Sequence, residues 1–138
     1  MRKHLSLTAL ALLLLASVHA HAEVVDVDNE ALAELIEQGI PVIDIRRPDE
    51  WSATGVIDGS HLLTFFDEKG NYDAQAFRSA LDKIVPDAEP VVLICRTGRR
   101  TDIVTRWLSE KEGFATVYNV EDGILSWKRK GGETVATP

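Results

Sequence analysis

Residues 90–102 read PVVLICRTGRRTD, and the class of the domain follows from them. Val91 to Ile94 is a short, continuously apolar run, the pattern of a strand buried on both faces of a parallel sheet. Cys95, the only cysteine in 138 residues, stands at the carboxyl end of that run. Gly98 marks a tight turn, since glycine alone takes a positive φ without a Cβ clash. From Thr101 to Lys111 the apolar residues Ile103, Val104, Trp107 and Leu108 recur at helical spacing. Strand, thiol, cationic turn and helix start therefore follow one another within a dozen residues.

The rest of the chain repeats the strand and helix alternation. Strands are expected at Val24–Val27, Pro41–Ile45, Leu62–Phe66 and Thr116–Asn119. Helices are expected at Glu30–Gln38, capped by Asp28 or Asn29 and stopped by Gly39, and at Pro48–Ala53, Asp73–Ile84 and Gly123–Lys130. This order implies an α/β domain, a parallel sheet of about five strands with helices on both faces. Ligands of such sheets bind beyond the carboxyl ends of the strands, where Cys95 lies.

The first 22 residues read as a targeting segment. Arg2 and Lys3 precede an apolar stretch from Leu5 to Ala16, and Ala20-His21-Ala22 fits the small-x-small cleavage rule. The apolar stretch is too short to span a bilayer, which needs about 20 residues. Export to a periplasm or secretion is the expectation, with 23–138 as a single domain. Without the leader, which holds two of the 15 basic residues and none of the 22 acidic ones, the net charge falls from −7 to −9. An acidic surface argues against nucleic acid or an anionic membrane as partner. A lone cysteine excludes an internal disulfide. A monomer is expected at this size.

A thiol reacts as its thiolate. Backbone N–H groups at a helix start carry partial positive charge and can form an anion-binding nest around a tight turn. Arg96, Arg99 and Arg100 add full charges. Basic residues at a helix N-terminus are unfavourable on their own. Arg99 and Arg100 therefore call for an anion beside them.

The loop Cys95-Arg96-Thr97-Gly98-Arg99-Arg100 resembles the C-x-x-G-x-R active-site loop of the rhodanese family. Other segments agree in order. Asp44-Ile45-Arg46 with Glu50-Trp51 resembles D-V-R…E-[YFW]; residues 55–60, GVIDGS, resemble G-H-I-P-G-A, with Val56 and Asp58 in place of its histidine and proline; Gly113-Phe114…Val117-Tyr118-Asn119 and Asp122-Gly123-Ile124…Trp127 resemble G-[FY]-x-x-V-x-N and G-G-[IL]-x-x-W. The resemblance covers about residues 24–131 and implies a rhodanese-like fold and a single-domain sulfurtransferase. Cys95 would be the catalytic nucleophile, taking sulfur from a small anionic donor such as thiosulfate or polysulfide. Arg96, Thr97, Gly98, Arg99, Arg100 and Thr101 would bind donor and persulfide. An external thiol or cyanide would take the sulfur away. Such chemistry needs a thiolate and an anion site, with no metal, other cofactor or separate base. Asp44, Arg46 and Glu50 are expected as a salt-bridged scaffold beside the loop.

Three other functions could use such a cysteine loop. Cysteine phosphatases on related folds need C-x5-R, but position 101 is Thr and the arginine comes one place early, at Arg100. A Cys–His hydrolase would have only His61 to use in residues 23–138. A non-catalytic sulfur carrier, or a module that binds sulfide or polysulfide, would share the same persulfide site and differ only in turnover.

Overall fold

Residues 22–137 are described by a computed structural model. The expected leader lies almost wholly outside them.

The chain runs β1 (Glu23–Val27), α1 (Asn29–Glu37), β2 (Val42–Asp44), α2 (Pro48–Thr54), β3 (His61–Leu62), α3 (Ala74–Leu81), β4 (Val91–Ile94), α4 (Arg99–Lys111), β5 (Thr116–Val120) and α5 (Gly123–Arg129), with one 3-10 turn at Pro86–Ala88. The five strands form one sheet in the order β1-β5-β4-β2-β3, and each pairing is parallel. Parallel strands need crossovers, and the helices supply them. The fold is the expected α/β sheet of five strands covered on both faces.

β4 is central because all four of its side chains can be buried, two on each face. Val91 and Leu93 join Phe77, Leu81, Val104 and Leu108 under α3 and α4. Val92 and Ile94 join Leu32, Leu35 and Ile124 under α1 and α5. Cys95 belongs to the first of these cores. The caps follow the sequence: Asp28 accepts from Ala31 N–H at 3.0 Å, and Asp73 from Ala76 N–H at 2.9 Å.

Three boundaries differ from expectation by two residues or more. The third strand ends at Leu62. Beyond it, Leu63 and Phe65 still donate to Asp44 and Ile45 carbonyls, so the segment runs beside β2 without the regular ladder. Helix α3 stops at Leu81 rather than Ile84. Helix α4 starts two residues early, at Arg99, because Gly98 turns at φ +87° and its carbonyl accepts from Asp102 N–H at 3.0 Å.

Ile103 was expected on the buried face of α4 and is instead 59% exposed. That face is Thr101, Val104, Thr105 and Leu108. Thr105 can be buried because its hydroxyl donates to the Thr101 carbonyl at 2.8 Å. A threonine satisfied by its own helix behaves as an apolar residue, which rotates the buried stripe away from Ile103.

The departure at residues 55–60 has a local replacement. Val56 exchanges two backbone hydrogen bonds with Val135, of 2.9 and 2.8 Å, and so ties the C-terminal segment across the turn. Gly55, at φ +74°, lies beneath that segment, where a Cβ would sit 2.8 Å from the Val135 carbonyl oxygen.

Candidate active site

Cys95 follows the last residue of β4 and is 1% exposed. The chain curls around its sulfur and enters α4. The Gly98 N–H donates to Cys95 Sγ at 3.2 Å. The Thr101 hydroxyl lies 3.5 Å from the same sulfur and donates to the Gly98 carbonyl at 3.0 Å. The N–H groups of Arg96, Thr97, Arg99, Arg100 and Thr101 have no acceptor among the described residues. Free donors at the start of a 13-residue helix, with the Gly98 N–H on the sulfur, are groups of the kind that can bind an anion.

Two glycines permit this shape. A Cβ on Gly98 would lie 1.8 Å from the Glu121 carbonyl oxygen. A Cβ on Gly123, at φ +62°, would lie 2.4 Å from the Arg96 carbonyl oxygen. The backbone of α5 uses that closeness. Ile124 N–H donates to the Cys95 carbonyl at 2.9 Å, and Leu125 N–H to the Arg96 carbonyl at 3.3 Å. The Cys95 and Arg96 carbonyls are thus satisfied by α5, and the Gly98 N–H is left to the sulfur.

The scaffold beside the loop is built on Arg46, which is fully buried. Its guanidinium meets Asp44 through Nε at 2.9 Å and Nη2 at 2.7 Å. The remaining donors reach Thr54 Oγ1 at 2.7 Å, the Gly55 carbonyl at 3.1 Å and the Glu50 carbonyl at 3.4 Å. A buried charge survives when it is paired and its hydrogen-bonding capacity is filled. Arg46 so ties α2 to the end of β2.

Glu50 does more than the expected scaffold role, for it pairs with the loop itself. Its carboxylate grips Arg100 fork to fork, Oε1 to Nη2 at 2.6 Å and Oε2 to Nη1 at 2.8 Å. The Arg47 N–H adds a third donor to Oε2 at 3.1 Å. Burial opposes ionisation of Glu50, but the hydrogen bonds from Arg100 and Arg47 and their charges outweigh it and lower its pKa to about 2. The Arg100 guanidinium is held more firmly in its charged form, first by the Glu50 hydrogen bond against the opposing effect of burial, then by the charges of Glu50 and Cys95. The anion demanded by an arginine at the start of α4 is therefore, for Arg100, a carboxylate of the protein. Arg96 and Arg99 are exposed and have no ion-pair partner among the described residues.

All seven expected site residues, Cys95 and Arg96 to Thr101, thus lie in one loop and helix start. Thr97 is exposed, and Thr101 is buried against the sulfur. Sequence reasoning missed the Glu50–Arg100 pair and the docking of α5 through Gly123. The first had a signal, an uncompensated cation at a helix start. The second had none, because a close approach between segments 28 residues apart is invisible in either. Among the described residues there is no group of three or more His, Cys, Asp or Glu side chains able to hold a metal ion.

Fold and loop together define a class: parallel α/β domains that hold a cysteine sulfur in a tight backbone turn beyond the central strand. The chain belongs to the rhodanese-like family, whose domain model matches residues 28–130. It is 30% identical over 99 residues to a thiosulfate sulfurtransferase, GlpE, of Pseudomonas aeruginosa, an alignment spanning 72% of this chain and 79% of that one. In structure it is similar to a polysulfide-sulfur transferase homodimer of Wolinella succinogenes, with a TM-score of 0.63 and 29% identity over 86% of this chain and 82% of that one. It is also similar to a rhodanese-related protein of Thermoplasma volcanium, with a TM-score of 0.61 and 27% identity over 82% and 99% of the two chains.

Proposed function

We propose that this protein is a thiosulfate- or polysulfide-dependent sulfurtransferase that carries sulfane sulfur on Cys95. The observation that carries the reading is the Gly98 N–H aimed at Cys95 Sγ across 3.2 Å, within a loop whose other N–H groups are free. The names of its relatives support the choice of donor.

In this mechanism the Cys95 thiolate attacks the outer sulfur of thiosulfate. The new S–S bond forms as the old one breaks, and sulfite leaves with its electron pair. The persulfide keeps one negative charge, which the loop N–H groups receive. A thiolate or cyanide then attacks the outer sulfur, and the electron pair returns to Cys95. No second thiol exists in the chain to resolve the persulfide, so the acceptor is external. Arg96 and Arg99, free of ion pairs among the described residues, draw the anionic donor to the loop. Export to the periplasm or secretion belongs to the same proposal and rests on the leader-like residues 1–22. Cell fractionation checks it.

The test is mass spectrometry of the reduced protein after thiosulfate or polysulfide treatment, paired with a thiocyanate assay in cyanide. A mass gain of one sulfur on Cys95 with turnover, both absent in Cys95→Ser, is the expected result. A mass gain without turnover makes the protein a carrier. Neither signal overturns both readings.

A further inference from the structure

We propose that Glu50 sets the charge of the sulfur site, neutralising Arg100 so that anionic donor and anionic product are held loosely enough to exchange. The proposal rests on the sulfur-transfer reading, and it concerns a residue outside the loop.

The geometry that supports it is a chain of fixed contacts. Glu50 sits in the first turn of α2, and Arg46 binds both the Glu50 carbonyl and the Gly55 carbonyl at the far end of that helix. Asp44 in turn holds Arg46. The carboxylate therefore has little freedom, and it presents two oxygens to Arg100 in a planar fork, the most directional ion pair available to a protein. The two side chains are only 13% and 23% exposed, so water screens the pair weakly. Arg100 stands in the first turn of α4, two residues after the Gly98 N–H that donates to Cys95 Sγ. A change of charge at Glu50 therefore changes the net charge of the turn that holds the sulfur.

The chemistry gives that charge a purpose. Thiosulfate enters as a dianion and sulfite leaves as an anion. Cations that bind both equally lower KM without speeding the reaction, and they retard release of sulfite. Arg96 and Arg99 remain for capture. Arg100, clamped and compensated, keeps the loop in shape without adding a third uncompensated charge. Glu50 is a positioning residue in this scheme and touches no reacting atom.

Anion binding separates this idea from the sulfur-transfer reading, because it needs no turnover. Calorimetry with sulfite and thiosulfate uses Cys95→Ser protein, with and without Glu50→Gln, at low and high ionic strength. Glu50→Gln should tighten sulfite binding by about three- to tenfold, more at low ionic strength, as expected for one unit charge at a partly screened site. The gain should vanish when Arg100→Gln is also present. Glu50→Asp, which keeps the charge, should bind sulfite like the parent. In the protein with Cys95 intact, Glu50→Gln should lower KM for thiosulfate and strengthen inhibition by sulfite. Unchanged or weaker sulfite binding in Glu50→Gln overturns the proposal. So does a gain that persists without Arg100, or no measurable binding of either anion to any variant. Should Glu50→Gln fail to fold, the Glu50→Gln/Arg100→Gln double variant decides, because it removes both charges and leaves neither partner unpaired: sulfite affinity equal to the parent is expected, and a large loss overturns the idea. Failure of sulfur transfer itself shows separately, as an absent persulfide in the mass measurement.

Discussion

Gly98 lies directly beneath the backbone of Glu121, so close that a Cβ on the glycine would stand 1.8 Å from the Glu121 carbonyl oxygen. This contact joins the cysteine loop to the segment between β5 and α5, and at φ +87° it leaves room for no other residue. Gly98→Ala should destabilise the fold by about 1–3 kcal/mol from strained backbone alone, with the steric displacement adding to it. It should also move the N–H away from Cys95 and abolish the persulfide mass gain. Urea denaturation and mass spectrometry check the two effects separately.

The buried Asp44–Arg46 pair predicts an asymmetric response. Asp44→Ala leaves a fully buried guanidinium without its carboxylate, an arrangement that costs about 3–5 kcal/mol. Arg46→Met with Asp44→Leu removes both charges and should cost less than either single change does through its unpaired partner. However, the double variant also unties Thr54 and Gly55 from Arg46. It should therefore loosen α2 and reduce the rate of persulfide formation. A double-mutant cycle in denaturation midpoints measures the first effect.

Acid sensitivity follows from Glu50. Its pKa is lowered from 4.5 to about 2 in the folded chain, by hydrogen bonds and charges of Arg100 and Arg47 that overcome its burial. A depressed carboxylate pKa stabilises the fold fully above the unfolded value and loses that contribution as pH falls towards the folded one. Melting temperature should therefore drop between pH 4.5 and 2 partly through this group. Glu50→Gln should be less stable than the parent at neutral pH and approach it at the acid end. A constant difference across that window would remove Glu50 from acid unfolding.

Arg96 and Arg99 are exposed and lack ion pairs among the described residues, so their effect on a dianionic donor is long-range attraction. Replacing both by Ala should lower kcat/KM for thiosulfate several-fold at low ionic strength and far less at high, since ions screen exposed charges within about 10 Å at 0.1 M salt. An effect independent of ionic strength would assign them direct contacts instead.

Thr101→Val tests the hydroxyl beside the sulfur. The oxygen lies 3.5 Å from Cys95 Sγ and donates to the Gly98 carbonyl at 3.0 Å. Its loss leaves the Gly98 carbonyl with the Asp102 N–H as its remaining donor, so the cost is that of one hydrogen bond, about 0.5–1.5 kcal/mol. Thr101→Ser keeps the donor and should restore most of the stability and the persulfide rate. Thermal denaturation and the rate of mass gain after thiosulfate treatment check both.

Much of the fold was legible because it is local. Val91 to Ile94 read as a strand covered on both faces, and Asp28 and Asp73 stand where helix caps belong by residue type and position. The same holds for the turn around Cys95, which seven consecutive residues supply. Where expectation failed, a polar group was satisfied in a way that residue type does not announce. Thr101 and Thr105 bury themselves by bonding backbone carbonyls, and Ile103 is turned outward as a result.

By itself, then, the sequence determined the alternation of strands and helices, the family and the place of Cys95, all of which depend on neighbours along the chain. Tertiary structure alone decided which charges around the sulfur are free. Glu50 and Arg100 are 50 residues apart, and only the parallel sheet brings α2 beside the start of α4. A guanidinium's effect at a site depends on whether a carboxylate already holds it, and that is a property of distance in space rather than order in the chain.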